Sequence, residues 1–255
     1  MLYAQILRLF NRDTAYRILK AHIRFVRHLP LARSIIRFNH RKNRVKLPRD
    51  VFNLHFDNPV GLGPGLDKDG LLYNTLSDYG FSFVEVGPVG RSQVKEVITR
   101  LQNDPPTPKI ALLIDKEHQD TFSLAYDFAD IFVLEIPDDE IQDVLDNVLD
   151  TRLSYESYKP VLIRLMHDFP DSELEEILHY CLLNGVDGAV VAKAENVARV
   201  YEMTKGRFPI IGYGGVRTAE KARELLDAGA SLVEVTTGLL LDGPGVAGTI
   251  LNKLQ

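Results

Sequence analysis

Short apolar runs recur along the chain from residue 60 onward, and each is followed by a stretch with helical spacing. Eight runs lie at 60–62, 83–86, 110–114, 131–136, 161–165, 189–192, 209–212 and 232–235. The helical stretches lie around 71–79, 91–102, 119–128, 139–151, 171–184, 195–205, 218–228 and 244–254. Near-continuous apolar runs of this kind are typical of strands in a parallel sheet whose outer face is covered by helices.

Eight strand–helix units predict an α/β fold, a (β/α)8 TIM barrel, which we assign to residues 45–255. A doubly wound open sheet is the competing interpretation. The regular count of eight, and the glycine-rich turns after the seventh and eighth runs, favour the closed barrel. Two short strand-like segments, 51–53 and 54–57, precede the first unit.

A basic helical arm is predicted for residues 1–44. Helical spacing is present at 3–10, 14–29 and 31–38, and Asp13 or Thr14 is the expected cap of the second helix. Residues 1–50 hold 13 Lys/Arg and two acidic residues, a net charge of +11, whereas residues 51–255 hold 17 Lys/Arg and 33 acidic residues, a net charge of −16. The arm therefore either contacts anionic lipid or packs on its own acidic barrel.

Several functional classes are disfavoured by the sequence. No run approaches the roughly 20 apolar residues of a membrane-spanning helix, and arginines interrupt any secretory core at the N-terminus. We therefore expect a cytoplasmic protein, with peripheral contact to the inner face of the membrane as an option for the arm. The basic residues lack groove-reading motifs, so we expect no nucleic-acid partner. The single cysteine, Cys181, lies in an apolar helical pattern and is expected to be a buried structural thiol.

Glycine-rich turns supply the clearest candidate ligand site. Gly214 and Gly215 follow the seventh run, where Thr218 can cap the next helix, and Thr236, Thr237 and Gly238 follow the eighth. Loops in these positions form the usual phosphate site of a TIM barrel, although the glycines could equally make tight turns.

The loop after the first run contains Gly63, Pro64, Gly65 and Lys68. The two glycines permit close approach of a planar ligand, and Lys68 can place a charge over the mouth of the barrel. From composition alone, Asp67-Lys68-Asp69 is better interpreted as the solvated start of a helix.

The chain resembles the class 2, quinone-linked dihydroorotate dehydrogenases, which are membrane-associated flavin enzymes of pyrimidine synthesis. The matching pieces are 58–70, 79–87, 210–215, 228–238 and Gly243-Pro244, together with the basic arm. The resemblance implies FMN as cofactor, with its phosphate held by Gly214, Gly215, Thr237 and Gly238. It places Gly63, Pro64 and Gly65 behind the flavin ring, and Lys68 near flavin and substrate.

The departures from that family fall on its catalytic loops. Pro88 stands where the family has a threonine, and the following substrate-binding Asn-Arg-Met-Gly-Phe-Asn-Asn loop has no counterpart. The resemblance also implies a catalytic serine loop after strand four, where this chain reads Glu135-Ile136-Pro137-Asp138-Asp139. Arg164 occupies the register of a flavin-proximal lysine in strand five, and Lys193 follows strand six in place of Thr-Asn-Thr.

A new charged cluster is therefore expected at the mouth, made of Lys68, Asp115, Lys116, Asp138, Arg164, His167, Asp168 and Lys193. It is either an ion-pair network that fills a vacated cavity or a different active site. In the second case Lys68, Arg164, His167 and Lys193 are the catalytic candidates, with His167 as acid–base. His167-Asp168 is a weak metal signal, and we expect no metal.

Three functions follow from these residues. The first is a degenerate member of the family that binds a phosphate-bearing small molecule or a partner. The second is a working FMN-dependent oxidoreductase, with dihydroorotate as the substrate that the resemblance implies. The third is a barrel enzyme repurposed for a phosphorylated metabolite.

Overall fold

A closed barrel of eight parallel strands forms the body of the protein, as the apolar runs predict. The computed structural model describes residues 10–42 and 47–254. Around the barrel the strands follow the order β10-β3-β4-β5-β6-β7-β8-β9. Their bounds are Val60–Leu62 (β3), Phe83–Val89 (β4), Lys109–Ile114 (β5), Ile131–Leu134 (β6), Val161–Leu165 (β7), Gly188–Ala192 (β8), Ile210–Tyr213 (β9) and Leu232–Val235 (β10). The open-sheet alternative is wrong, because β10 pairs with both β3 and β9.

Helices cover the outer face of the barrel between the strands. Their bounds are Tyr73–Asp78 (α3), Arg91–Asn103 (α4), His118–Ala125 (α5), Ile141–Leu153 (α6), Asp171–Asn184 (α7), Ala194–Met203 (α8), Ala219–Asp227 (α9), Thr237–Asp242 (α10) and Val246–Leu251 (α11). The helix predicted at 244–254 is confirmed in its central part by α11, whereas α10 precedes it and was not predicted; Gly243, with a positive φ of 86°, ends α10. Thr218 caps α9 as expected, accepting a hydrogen bond from the Lys221 amide.

An antiparallel hairpin closes the amino-terminal end of the barrel. Its strands, Arg49–Val51 (β1) and Leu54–Phe56 (β2), pair through the turn at Phe52 and Asn53. Phe52 fits against Gly188, where an added Cβ would lie 2.7 Å from the phenyl ring. Phe56 meets Phe83 edge to face, with the ring centroids 5.8 Å apart. The lower interior is therefore a packed apolar core, and the residues of interest for function lie at the mouth, at the carboxyl ends of the strands.

The arm consists of two helices, Arg12–Arg27 (α1) and Pro30–Lys42 (α2). The expectation that Asp13 or Thr14 caps α1 is wrong, because the Asn11 side chain accepts the Thr14 amide at 2.9 Å. The predicted arm boundary at residue 44 and the helical spacing at residues 3–9 lie outside the described residues.

Both arm helices dock on the barrel through apolar and ionic contacts. Ala15, Leu19 and Ile23 of α1 are buried in the main core, where α1 packs against α3 and α10, and Val26 is buried as well. Ion pairs surround this apolar seam, and acidic side chains of the barrel receive them. The pairs are Lys20–Asp69 (2.7 Å), Arg24–Asp69 (2.9 Å), Arg27–Asp104 (3.5 Å), Arg33–Asp78 (2.6 Å) and Arg37–Asp78 (2.8 Å).

Replacing Ile23 by Ala should lower the free energy of unfolding by about 2–5 kcal/mol, because its side chain is fully buried and the cavity cannot fill completely. Phe25→Ala is the matched control on the same helix, since Phe25 is 67% exposed, and its effect should stay within about 0.5 kcal/mol. Urea unfolding followed by circular dichroism measures both. Equal effects of the two substitutions would contradict the docking of α1.

Candidate functional site

The upper interior of the barrel holds an arginine between two glutamates. Arg164 of β7 places Nη2 2.6 Å from Oε1 and 2.7 Å from Oε2 of Glu85 in β4, and 3.3 Å from Oε2 of Glu234 in β10. All three side chains are buried. We refer to Arg164, Glu85 and Glu234 as the interior cluster.

Two carboxyl groups share one cation in this cluster, so the protonation of one carboxyl is strongly perturbed. Burial raises the pKa of Glu85 well above its usual range; Arg164 opposes the shift and Glu234 adds to it. Burial alone would lower the pKa of Arg164, but the two glutamates raise it above its ordinary value. A proton on Glu85 leaves the cluster neutral, with one arginine cation facing one carboxylate.

The interior cluster retains unpaired polar atoms. Nε of Arg164 and Oε1 of Glu234 are buried and have no hydrogen-bond partner among the described residues. The guanidinium of Arg164 lies over the Tyr213 ring, at the end of β9, 5.0 Å from the ring centroid. Arg164 is therefore fixed by the barrel's own side chains.

The sequence analysis placed Arg164 correctly in the fifth barrel strand, which is β7, but predicted the wrong ion-pair partners for it. Its partners were expected among Asp115 and Asp138, whereas they are Glu85 and Glu234. A signal for them exists in the sequence. Each glutamate is the single charged residue inside an apolar strand. Like Arg164, each has an apolar residue directly before it and directly after it.

Four of the other charged residues expected at the mouth form two separate surface pairs and do not join Arg164, so the prediction of one cluster is wrong. His167 Nε2 lies 2.7 Å from Asp138 Oδ2, and Lys193 Nζ lies 2.6 Å from Asp168 Oδ2. His167, Lys193, Lys68 and Lys116 have exposed side chains. The physical reason is geometric: Arg164 points into the barrel, while the others follow the strand ends, where short loops turn them outward.

The loop after β3 is not the solvated helix start that its composition favours. Asp67 is fully buried and accepts the amides of Leu71 (2.7 Å) and Leu72 (2.9 Å). Burial raises its pKa to about 6 despite these hydrogen bonds. Asp69 holds the arm, and helix α3 begins only at Tyr73. Of the three charged residues, only Lys68 is exposed.

The two glycines of this loop face the protein itself. A Cβ on Gly63 would lie 2.5 Å from Oγ1 of Thr236 and 3.0 Å from Oε2 of Glu234. A Cβ on Gly65, whose φ is 103°, would lie 3.5 Å from the Tyr16 hydroxyl of the arm. Half-buried Pro64 lies between them. The backbone at Gly63 is thus closely approached by Thr236 and Glu234, while Gly65 lies near the arm without crowding.

The turn after β9 is open in contrast. Gly214 and Gly215 have φ values of 107° and 70°, a region that favours glycine. A Cβ on Gly215 would meet no atom within 4 Å, and one on Gly214 would meet only the Lys193 amide nitrogen, at 3.4 Å. Thr237 is exposed, whereas Gly238 packs under the Val216 carbonyl, 2.5 Å from where its Cβ would lie.

Little loop length is available for catalysis at this mouth. The connections from β4 to α4, from β8 to α8 and from β10 to α10 are one residue each: Gly90, Lys193 and Thr236. After β6, residues 135–140 contain no serine, threonine or cysteine. Cys181 lies buried in α7, and burial raises its thiol pKa to about 12, as a structural thiol requires. Among the described residues, no group of three His, Cys, Asp or Glu side chains could hold a metal ion.

Comparison with known proteins gives the family that this barrel resembles. The family model for dihydroorotate dehydrogenase matches residues 144–255. A dihydroorotate dehydrogenase (quinone) from Christiangramia forsetii is 27% identical, over 89% of this chain and 89% of the relative. Another from Salinispora arenicola is 28% identical, over 86% of each chain. The chain resembles quinone-linked dihydroorotate dehydrogenase.

The fold comparison agrees, since the dihydroorotate dehydrogenase of Eimeria tenella, solved in complex with ferulenol, superposes with a TM-score of 0.75. It is 19% identical and covers 88% of this chain and 90% of that one. The alignment to the Christiangramia dihydroorotate dehydrogenase runs over 306 positions, while 89% of 255 residues is about 227 residues. About 80 aligned positions of that dehydrogenase therefore lack a counterpart here.

The residues expected to hold FMN fit the phosphate better than the ring. The open turn at Gly214 and Gly215 leaves room for an anion, and Thr237 is accessible beside it. At Gly63, expected behind the flavin ring, there is no room even for a Cβ beside Thr236, whereas a Cβ on Gly65 would stand at ordinary contact distance from Tyr16. A dihydroorotate dehydrogenase-like phosphate half-site is thus compatible with the geometry, and the loop expected behind the ring is tightly packed at Gly63.

Arg164→Met should lower the free energy of unfolding by about 3–5 kcal/mol near pH 7.5, because it leaves two buried carboxyl groups without a cation. A carboxyl group whose pKa is raised on folding binds more protons in the folded state than in the unfolded state. Its contribution to the free energy of unfolding therefore falls as the pH rises above the unfolded pKa of 4.5. The loss should therefore be smaller near pH 5. Urea unfolding at both pH values measures it.

Glu85→Gln added to Arg164→Met is the control, since it removes one of the two unpaired charges. The double variant should recover much of the stability near pH 7.5. A loss independent of pH, or no recovery in the double variant, would contradict the charge balance of the interior cluster.

Proposed function

We propose that this chain is a dihydroorotate dehydrogenase-like barrel that no longer oxidises dihydroorotate and that works by binding a phosphate-bearing ligand or a partner. The interior cluster carries the proposal. The one arginine that reaches the position of a flavin-proximal cation is already held by Glu85 and Glu234, at 2.6–3.3 Å. It has little capacity left to attract an anionic substrate or to stabilise a reduced flavin.

Residues 135–140 also supply no serine to act as the proton acceptor of this reaction. Oxidation of dihydroorotate removes a carbon-bound proton while hydride leaves for the flavin, so a base must stand beside the substrate. Residues 135–140, which occupy the position of the serine loop, offer only carboxyl groups, and Asp138 among them pairs with His167. Carboxylates at that place would repel a substrate that itself bears a carboxylate.

The ligand expected at the open turn is a phosphate monoester, whether of a sugar phosphate or of FMN. Gly214, Gly215 and Thr237 would hold it, because glycine amides approach an anion closely and a threonine hydroxyl can donate to it. No step of a reaction is assigned to this contact, which supplies binding alone. When FMN is bound, its ring would carry redox chemistry, and the close packing of Thr236 and Glu234 at Gly63 opposes a ring at that place.

The purified protein should be colourless and should not reduce a quinone analogue with dihydroorotate. Inorganic phosphate or ribose 5-phosphate should raise its melting temperature. Copurified flavin that dihydroorotate bleaches, with quinone reduction, would establish an active oxidoreductase and reject this proposal. Stabilisation by neither phosphate compound would reject the phosphate half-site.

Gly215→Ala and Gly185→Ala form a matched pair for the half-site. Both glycines adopt a left-handed conformation, with φ of 70° and 78°, so either substitution should cost about 1 kcal/mol of stability. Gly185 ends helix α7, away from the turn after β9. Only Gly215→Ala should reduce the thermal shift caused by phosphate; equal shifts in the two variants would place the anion elsewhere.

A peripheral membrane contact of the arm is a second proposal, favoured by its exposed apolar face. Leu31, Ile35 and Phe38 recur at helical spacing on α2 and are exposed, as is Phe25 on α1. Several arm cations pair with the barrel, yet the face beside them stays apolar, which suits the headgroup boundary of an anionic bilayer on its cytoplasmic side. No helix among residues 10–42 and 47–254 is long and apolar enough to cross a membrane.

The full-length protein should float with vesicles that contain phosphatidylglycerol and should float less with vesicles of phosphatidylcholine alone. Leu31→Ser combined with Ile35→Ser and Phe38→Ser should abolish flotation without unfolding the barrel, because these side chains are exposed. Leu153→Ser with Leu183→Ser, which removes exposed leucines from the barrel helices, is the control. Equal flotation of both variants would contradict the contact.

A further inference from the structure

Helices α6 and α7 border a groove on the outer face of the barrel, distant in sequence from the arm. Its cavity measures about 290 Å³, and we call it the α6–α7 groove. Its lining includes five acidic residues and no lysine or arginine. The acidic residues are Asp138, Asp139, Asp143, Glu173 and Glu176.

The floor of the groove is apolar. Ile141 and Ile177 line it beside the Tyr180 ring, and Ile141 is buried while Ile177 is half-buried. The Tyr180 hydroxyl donates to Asp146 of α6, which shows that these two side chains face each other across the groove. Of the five acidic residues, Asp138 has His167 as a partner.

Two exposed leucines lie on α6 and α7 beyond the lining of the groove, toward the carboxyl ends of both helices. Leu153 is 81% exposed and Leu183 is 71% exposed. Leu153 follows Asp146 and Asp150 at helical spacing on α6, and Leu183 follows Glu176 and Tyr180 in the same way on α7. Both leucines therefore lie on the helix rows that face the groove.

The strip formed in this way has acidic side chains at one end and leucines at the other. From Ile141 to Leu153 it extends about 18 Å, since an α-helix rises about 1.5 Å per residue. We infer that the α6–α7 groove is a docking surface for a cationic amphipathic helix of a partner protein. Lysine or arginine would face the carboxylates, and the apolar stripe would cover the isoleucines and the two leucines.

This inference goes beyond the phosphate half-site and does not depend on it, because the groove and the turn at Gly214 and Gly215 share no residue. The mouth can fail to bind phosphate while the groove still binds a helix. The two are also distinguishable by their ligands, one a small anion and the other a cationic peptide.

The test uses the full-length protein and two fluorescein-labelled peptides, an amphipathic Leu/Lys helix and its charge-reversed twin in which each Lys is Glu. Fluorescence anisotropy should show binding of the Lys peptide, and the Glu peptide should bind at least about tenfold more weakly. Binding of the Lys peptide should weaken as salt is raised from about 0.05 M to about 0.5 M.

Two groove variants separate charge from apolar contact. Glu173→Gln/Glu176→Gln and Leu153→Ser/Leu183→Ser should each weaken the Lys peptide about tenfold, and only the first should reduce the salt dependence. Glu202→Gln/Asp227→Asn, at exposed acidic positions on α8 and α9, is the control and should bind as the parent does. Thermal melting checks that all variants are folded.

Four results would overturn the inference. The first is equal binding of the two peptides, and the second is parent-like binding by both groove variants. The third is self-association in sedimentation that the Leu153→Ser/Leu183→Ser variant loses, which would assign the groove to a second copy of this chain. Weaker binding by the control variant as well would reduce the interaction to general charge and would also contradict it.

Discussion

Closing eight parallel strands into a ring creates an interior that side chains have to fill. In this protein, charged side chains occupy the upper part of that interior. Arg164 crosses to Glu85 and Glu234, so strands β4, β7 and β10 are joined through one guanidinium. A buried cluster of this kind contributes little net stability compared with apolar packing, but loss of its cation is costly. It also decides what the mouth can do, because the charge that would face a ligand already faces two glutamates.

The short connections between strands and helices also limit which polar groups can reach a ligand at the mouth of the barrel. In TIM barrels the residues that react stand on loops after the strands, and loop length gives them reach over the mouth. Here Gly90, Lys193 and Thr236 each connect a strand to a helix alone. Lys193 even adopts a φ of 67° to make its turn, and its side chain extends to Asp168 at the surface. Polar groups that longer loops would bring over the centre are thus turned to the rim.

The sequence was sufficient for the barrel and insufficient for the pairing of its charges. Near-continuous apolar runs identify strands that are covered on both faces, and their number fixes the ring. Charge partners depend on register around that ring: Glu85, Arg164 and Glu234 are 79 and 70 residues apart, so no local pattern joins them. Asp67 was misjudged for a related reason, since its two backbone donors, Leu71 and Leu72, become available only when the turn has formed.

The two halves of the expected cofactor site differ in how tightly they are packed, because each depends on a different kind of contact. A phosphate is recognised by backbone amides at glycine turns, which persist as long as the chain turns there, whatever happens to the neighbouring side chains. A planar ring needs an empty, apolar space, and any side chain that moves in removes it. Gly215 keeps open space, whereas the space beside Gly63 is taken by Thr236 and Glu234. Loss of long loops would expose that space to water, and filling it with the chain's own side chains restores a packed barrel. Open space at Gly215 beside tight packing at Gly63 is therefore what these two kinds of contact lead to in a barrel with short loops and glycine turns.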